Sequence, residues 1–145
     1  MTAPTTTLYT AHATATGGRT GTVRTDDGLF SAQLAPPPQL GGKGGATNPE
    51  QLFASGYAAC FGSAVAHVAK AKKVALKDAD VEVKAAVGIG PNAQGGFALT
   101  VALDVTLAGV DQATAEDLVH TAHQVCPYSN ATRGNIDVGL QVSVR

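Results

Sequence analysis

Cys60 and Cys126 are the residues with the most chemistry to offer in this chain of 145. They stand too far apart to form a Cys-x-x-Cys redox motif or half of a zinc site. In a reducing compartment, a bond between two such thiols is transient and either catalytic or sensing, not a structural staple. Cys60 lies in Ala58-Ala59-Cys60-Phe61-Gly62, inside a long apolar run. Work as a nucleophile requires its thiolate, yet a free cysteine titrates at about 8.5 and burial raises that value. The dipole of a helix helps only in its first turn, and Cys60 falls about three turns in. A reactive Cys60 therefore needs a cation. The plain alternative is a small hydrophobe filling a helix interface.

Arg19 is the first candidate for that cation. It follows Gly17-Gly18 and precedes Thr20-Gly21, a setting in which a turn can aim the guanidinium inward. Otherwise it is an exposed strand arginine. Arg keeps its charge at every relevant pH, and its fork can engage two partners at once. Glu50 falls at the second position of the expected helix, where the dipole favours a carboxylate in any case. Its functional reading is to pair with Arg19 and orient it. Along a straight helix, Glu50 and Cys60 are separated by roughly 15 Å. The arginine must bridge that gap, a partner chain must supply one of the groups, or the helix must bend. Cys126 precedes Pro127 at the end of a second helix, where a mobile, exposed thiol suits disulfide exchange. His120 and His123 are one helical turn apart, but neither they nor His12 and His67 join the cysteines at metal-ligand spacing. A polar helix face is the simpler account, and no metal site is expected.

The elements that must hold these residues can be read from patterning. Leu8–Thr16, Arg19–Thr25 and Leu29–Leu34 read as three short strands, separated by Gly17-Gly18 and Asp26-Asp27-Gly28. Pro36-Pro37-Pro38 stops the last of them, and Gly41–Gly45 is a flexible loop without the spacing of a phosphate-binding one. Asn48 is a good N-cap, Pro49 suits the first helical position, and Gln51 completes a capping-box pattern. From Gln51 to Ala69 there is no charge if His67 is neutral. A helix apolar on all sides must be buried on all sides. Its Ala, Gly and Ser content favours a central core helix over a membrane span, and a second copy of the chain is expected to help cover it. Two alternating strands follow, Val81–Ile89 and Phe97–Leu107, joined by the loop Gly90–Gly95. A helix from near Asp111 to Cys126 and a strand over Ile136–Val144 complete the order βββ-α-ββ-α-β. This is an α+β fold in a single domain over residues 1–145, with residues 1–7 as a flexible tail.

Bulk composition excludes several function classes. Apolar residues make up 44% and charged residues 14%, a globular balance, and the net charge is −1. Neither a nucleic-acid footprint nor a polybasic membrane anchor is present. The Thr-rich start lacks the charged and apolar regions of a secretory signal, so a cytoplasmic location is expected.

Thr47-Asn48-Pro49-Glu50-Gln51-Leu52-Phe53-Ala54-Ser55-Gly56-Tyr57-Ala58-Ala59-Cys60-Phe61 closely resembles the first cysteine motif of the organic hydroperoxide resistance proteins. Cys126-Pro127-Tyr128-Ser129-Asn130-Ala131-Thr132-Arg133-Gly134-Asn135 resembles their second, and the likeness spans nearly the whole chain, Gly18-Arg19-Thr20-Gly21 included. The resemblance implies an OsmC-like fold, with antiparallel sheets wrapped around two central helices in an intertwined homodimer. It implies that Cys60 is oxidised by the peroxide to a sulfenic acid and that Cys126 resolves it as an intramolecular disulfide. Arg19 would stabilise the thiolate, and Glu50 would hold Arg19. No bound cofactor is implied. The external reductant would be dihydrolipoamide or a lipoylated protein, and the substrates would be bulky, lipid-type hydroperoxides. Phe53, Tyr57 and Phe61 would supply apolar surroundings for them.

Three other readings make distinct forecasts. The osmotically inducible branch of the same superfamily would differ in peroxide preference. A non-catalytic small-molecule or lipid-binding dimer would keep unreactive thiols after peroxide treatment. A redox sensor would signal through a partner; a transcriptional one would need a DNA-binding motif or basic patch, and the chain shows neither.

Overall fold

In a computed structural model, which describes residues 3–145, the chain divides into two compact units, Met1–Leu52 and Phe53–Arg145. The division falls inside a helix, where the sequence carries no linker. Of the expected flexible tail, residues 1–2 lie outside the described residues; residues 3–7 are exposed and form neither helix nor strand.

The first unit is an antiparallel meander of β1 (Ala13–Thr16), β2 (Thr22–Thr25) and β3 (Ser31–Gln33), with Ala15 opposite Val23 and Val23 opposite Ala32. The strands are shorter than the patterning predicts. Leu8 and Tyr9 are 94% and 79% exposed and join no strand. Arg19 sits not in a strand but in a 3-10 turn, Gly18–Thr20. The glycines dictate that turn. Gly17 adopts φ 82°, which a side chain disfavours, and a Cβ on Gly21 would lie 1.7 Å from the Thr16 carbonyl oxygen. Past the proline run, Leu34 bridges to Thr47. Among the described residues of this unit only Leu34 and Asn48 are buried. It has almost no core of its own.

Helix α1 (Pro49–Ala71) starts as its sequence predicts. The Gln51 amide donates to Asn48 Oδ1 at 2.9 Å, and Thr47 Oγ1 donates to Gln51 Oε1 at 2.7 Å. By length and composition α1 could cross a membrane, with a mean hydropathy of 1.3. Yet Tyr57, Phe61, Ala64, Val65 and Val68 form one buried stripe at helical spacing, packed in the core of the second unit. Ser55, Ala59, Ser63 and His67, on the opposite flank, are exposed within the single chain, the flank that a second copy was expected to help cover.

The rest of the second unit is built on a sheet of order β4-β5-β6, comprising β4 (Val81–Pro91), β5 (Phe97–Leu107) and β6 (Val138–Val144). β4 and β5 are the expected hairpin, with Val83 opposite Val105, and Asn92 Oδ1 caps its loop by accepting from the amides of Gln94 and Gly96. Val101, Leu103, Val105 and Leu107 alternate into the core, each worth roughly 1.5–3 kcal/mol when fully buried. Phe97 shares their parity but lies at the hairpin's end and is 76% exposed. Helix α2 (Gln112–Val125) is capped by Asp111, whose Oδ1 accepts from the Thr114 amide at 2.8 Å.

Two features correct the sequence-based order. A further helix, α3 (Pro127–Thr132), follows α2 directly, and β6 pairs with β5 in parallel, Leu103 opposite Leu140, where an antiparallel strand was expected. The two helices form the crossover that a parallel neighbour requires. The fold is α+β, in the order βββ-α-ββ-α-α-β.

Candidate active site

The four residues singled out from sequence fall into two contacting pairs, one in each unit. In the first, Arg19 and Glu50 meet as a fork. Nη2 donates to Oε1 at 2.6 Å and Nη1 to Oε2 at 2.9 Å. The Glu50 side chain is 11% exposed and that of Arg19 41%. The hydrogen bonds from Arg19 hold the Glu50 carboxyl below its usual range, against the opposing effect of burial, and Glu50 in turn raises the guanidinium. A lowered carboxylate pKa favours the folded form above the unfolded-state value. That contribution is lost as pH falls through the lowered one, so the fork persists at neutral pH and fails only in acid. With the arginine partly exposed, its worth to stability is modest; its consequence is orientation.

In the second unit, the Cys60 and Cys126 sulfurs lie 3.8 Å apart, both as free thiols. A disulfide needs about 2.05 Å, so closure requires a short approach and no rearrangement of the fold. Cys126 is not the exposed, mobile thiol expected at a helix end, for its exposure is 0%. Pro127 ends α2 but also begins α3, so Cys126 is the inside corner of a helix–helix joint. Its amide donates to the Ala122 carbonyl at 2.8 Å, and its carbonyl accepts from the Asn130 amide at 2.9 Å. Cys60 is half-buried. Burial pushes the Cys60 thiol up and neighbouring Cys126 adds to this, while the Tyr128 backbone N–H works the other way. Nothing else in this unit draws the proton off Cys60.

Aromatic rings share the core with the pair. Tyr128 packs against Phe53 and Tyr57 with centroids 6.3 and 5.6 Å away, and Phe61 lies 6.5 Å from Tyr57. The Tyr128 ring lies flush on α1 only because residue 56 is glycine: a Cβ there would stand 2.9 Å from the Tyr128 hydroxyl. Tyr57, expected among the apolar surroundings of Cys60, is fully buried, and its hydroxyl turns away into a polar chain.

Sequence reasoning missed that chain. Tyr57 OH lies 2.8 Å from Ser129 Oγ and 3.2 Å from Thr132 Oγ1, and Ser129 Oγ lies 2.8 Å from His123 Nδ1. His123 is held below its usual pKa, by burial first and then by the charges of Arg133 and His120. Arg133 donates to the His123 carbonyl and to Asn130 Oδ1. His123 thus serves a hydrogen-bonded role, and among the described residues no three His, Cys, Asp or Glu side chains gather as metal ligands. The sequence signal for the chain was a pair of hydroxyl residues, Ser129 and Thr132, shortly after Cys126.

The OsmC-like protein family matches residues 42–141. The organic hydroperoxide resistance protein of Xanthomonas axonopodis pv. citri is 53% identical over 144 residues, covering 99% of this chain and all of that protein. Organic hydroperoxide resistance protein OhrB of Bacillus subtilis is 44% identical over 135 residues, covering 93% of this chain and 98% of its own. Among solved structures, an organic hydroperoxide resistance protein from Legionella pneumophila superposes with a TM-score of 0.91 at 55% identity, covering 96% of this chain and 100% of that one.

Proposed function

Since the chain belongs to the OsmC-like family and, within it, to the organic hydroperoxide resistance proteins, we propose that it is a thiol peroxidase that reduces bulky organic hydroperoxides. The observation that carries this reading is the free thiol pair 3.8 Å apart, Cys60 half-buried and Cys126 fully buried. In the first step Cys60 attacks the terminal peroxide oxygen; ROOH leaves as the alcohol ROH and Cys60 becomes a sulfenic acid. In the second, the Cys126 sulfur displaces that hydroxyl as water and the disulfide forms. A dihydrolipoyl dithiol then takes the disulfide's place, returning two thiols. The Phe53 and Tyr128 rings, neither of them fully buried, favour greasy peroxides over hydrogen peroxide.

Because burial and Cys126 keep Cys60 protonated, the thiolate needs a cation, and we assign that role to Arg19 oriented by Glu50. Arg19→Ala is expected to raise the Cys60 pKa, because the thiolate loses its compensating charge, and to slow peroxide reduction by about 10²-fold. The pH profile of Cys60 alkylation reads the first effect, and an unchanged profile would remove Arg19 from the mechanism.

A homodimer is part of the proposal. Among its described residues the first unit buries only Leu34 and Asn48 and leaves Leu8 and Leu29 exposed, and a three-stranded sheet without a buried face is not stable alone. The open flank of α1 lines a groove of about 370 Å³ with Ala58, Ala59, Gly62 and Ser63. A second copy would cover both. The redox-active pair is expected to work in the cytoplasm, where a disulfide is transient.

The experiment is consumption of cumene-type and fatty-acid hydroperoxides with dihydrolipoamide, beside hydrogen peroxide and a thioredoxin-driven control, on material whose mass in solution is measured. Fast turnover of the organic peroxides with the lipoyl donor, by a protein of dimer mass, is expected. No turnover with any donor and thiols still free afterwards would overturn the peroxidase, and a monomer mass the dimer.

A further inference from the structure

We propose that Tyr57, Ser129, Thr132 and His123 are positioning residues that hold Cys60 and Cys126 in line for disulfide closure, and so govern the second step and not the reduction of peroxide. This rests on the peroxidase reading for its place in the cycle. Its structural content stands without it.

The placement carries the argument. Tyr57 precedes Cys60 by three residues, which on α1 puts it one turn away on the same flank. His123 precedes Cys126 by three, on the last turn of α2, and Ser129 follows it by three on α3. The bond Tyr57–Ser129 ties α1 to α3, Tyr57–Thr132 repeats that tie, and His123–Ser129 ties α2 to α3, at 2.8, 3.2 and 2.8 Å. Each segment that carries a sulfur is therefore pinned to the others by one shared set of hydroxyls. Tyr57 and Ser129 are fully buried and Thr132 nearly so. Thr132 Oγ1 lies 3.2 Å from the Ser129 carbonyl, to which it can donate, so the chain of protons ends on a backbone acceptor.

Packing alone does not call for these groups. Phe, Ala and Val in place of Tyr57, Ser129 and Thr132 would fill nearly the same volume without desolvating three hydroxyls. A fully satisfied buried network specifies one arrangement among the many that an apolar core permits. One arrangement is what closure needs, since the sulfurs must move from 3.8 Å to about 2.05 Å with the Cys126 sulfur opposite the leaving oxygen. The polar contacts of the Cys60 sulfur are with Cys126 and the Tyr128 N–H, not with the network. Loosening the network should therefore spare the first step.

The test uses Ser129→Ala, Thr132→Val and Tyr57→Phe, with thermal melting to certify folding. Each reduced protein receives one equivalent of organic hydroperoxide. Sulfenic acid is trapped with a dimedone probe, and disulfide is followed by thiol alkylation and mass spectrometry. Sulfenic acid should form within about twofold of the parent rate while closure slows by about 10-fold, so the sulfenic species persists. In a second arm diamide closes the disulfide without any peroxide, and the same slowing is expected. Should the parent consume no peroxide, the peroxidase reading falls while the diamide arm still decides this one. Unchanged closure in all folded variants, or both steps slowed in equal proportion, would overturn it.

Discussion

Replacing Cys60 by serine is expected to lower organic hydroperoxide turnover by about 10³-fold or more. The sulfur is the atom oxidised. A serine hydroxyl is a poor nucleophile at neutral pH, and its oxygen accepts no further oxygen from a peroxide. The substitution is otherwise mild, because Cys60 is half-buried at the rim of the core and not in its centre. The melting temperature should change by only a few degrees, as a loss of about 1 kcal/mol would give. Peroxide consumption followed with a saturating dihydrolipoyl donor separates the outcomes. Repeated turnovers by Cys60→Ser at a rate near the parent's would remove Cys60 from the chemistry and return the cysteines to packing.

Local patterning carried the parts of the fold that answer to one element at a time. Asn48-Pro49 announced the start of α1, and the Asn48 side chain does cap it. The alternation over Val81–Ile89 and Phe97–Leu107 reported a sheet with one core face, and Asp111 marked the start of α2. What escaped depends on more than one element. Pro127 is a stop signal within α2 and a start signal for α3; read only as a stop, it left Cys126 on an exposed end. The same omission hid the crossover, and with it the parallel pairing of β6. In α1, the apolar run Leu52–Ala69 has no preferred face by composition. The buried stripe through Tyr57, Phe61 and Val65 was chosen by what packs there.

The site shows the same division. Arg19, Glu50, Cys60 and Cys126 were legible as residue types, and the bidentate fork and the thiol pair are contacts at sequence separations of 31 and 66. Such contacts are imposed by topology, through the glycine turn that aims Arg19 and the joint that aims Cys126. The Tyr57–Ser129–His123 chain is less visible still. A tyrosine amid apolar residues and a serine near a helix start each have an ordinary explanation, and only their meeting in space gives them another.

That joint makes Cys126 the place for the second large effect. Cys126→Ser is expected to consume one peroxide per chain at close to the parent rate and then stall. Cys60 should first accumulate as the sulfenic acid and, under excess peroxide, pass to the sulfinic and sulfonic acids. The parent escapes because its resolving sulfur waits 3.8 Å away, so closure outruns a second encounter with peroxide. Because Cys126 is fully buried, a serine there also brings a hydroxyl into an apolar corner at about 1–3 kcal/mol. Cys126→Ala, which lacks that hydroxyl, should show the same stall, separating chemistry from folding. Intact-mass spectra after one and after ten equivalents of hydroperoxide read the result as one oxygen added, then two and three. Sustained turnover by both variants without oxygen addition would mean that the external dithiol reduces the sulfenic acid directly. The buried sulfur would then be packing, and the 3.8 Å approach would have no part in the cycle.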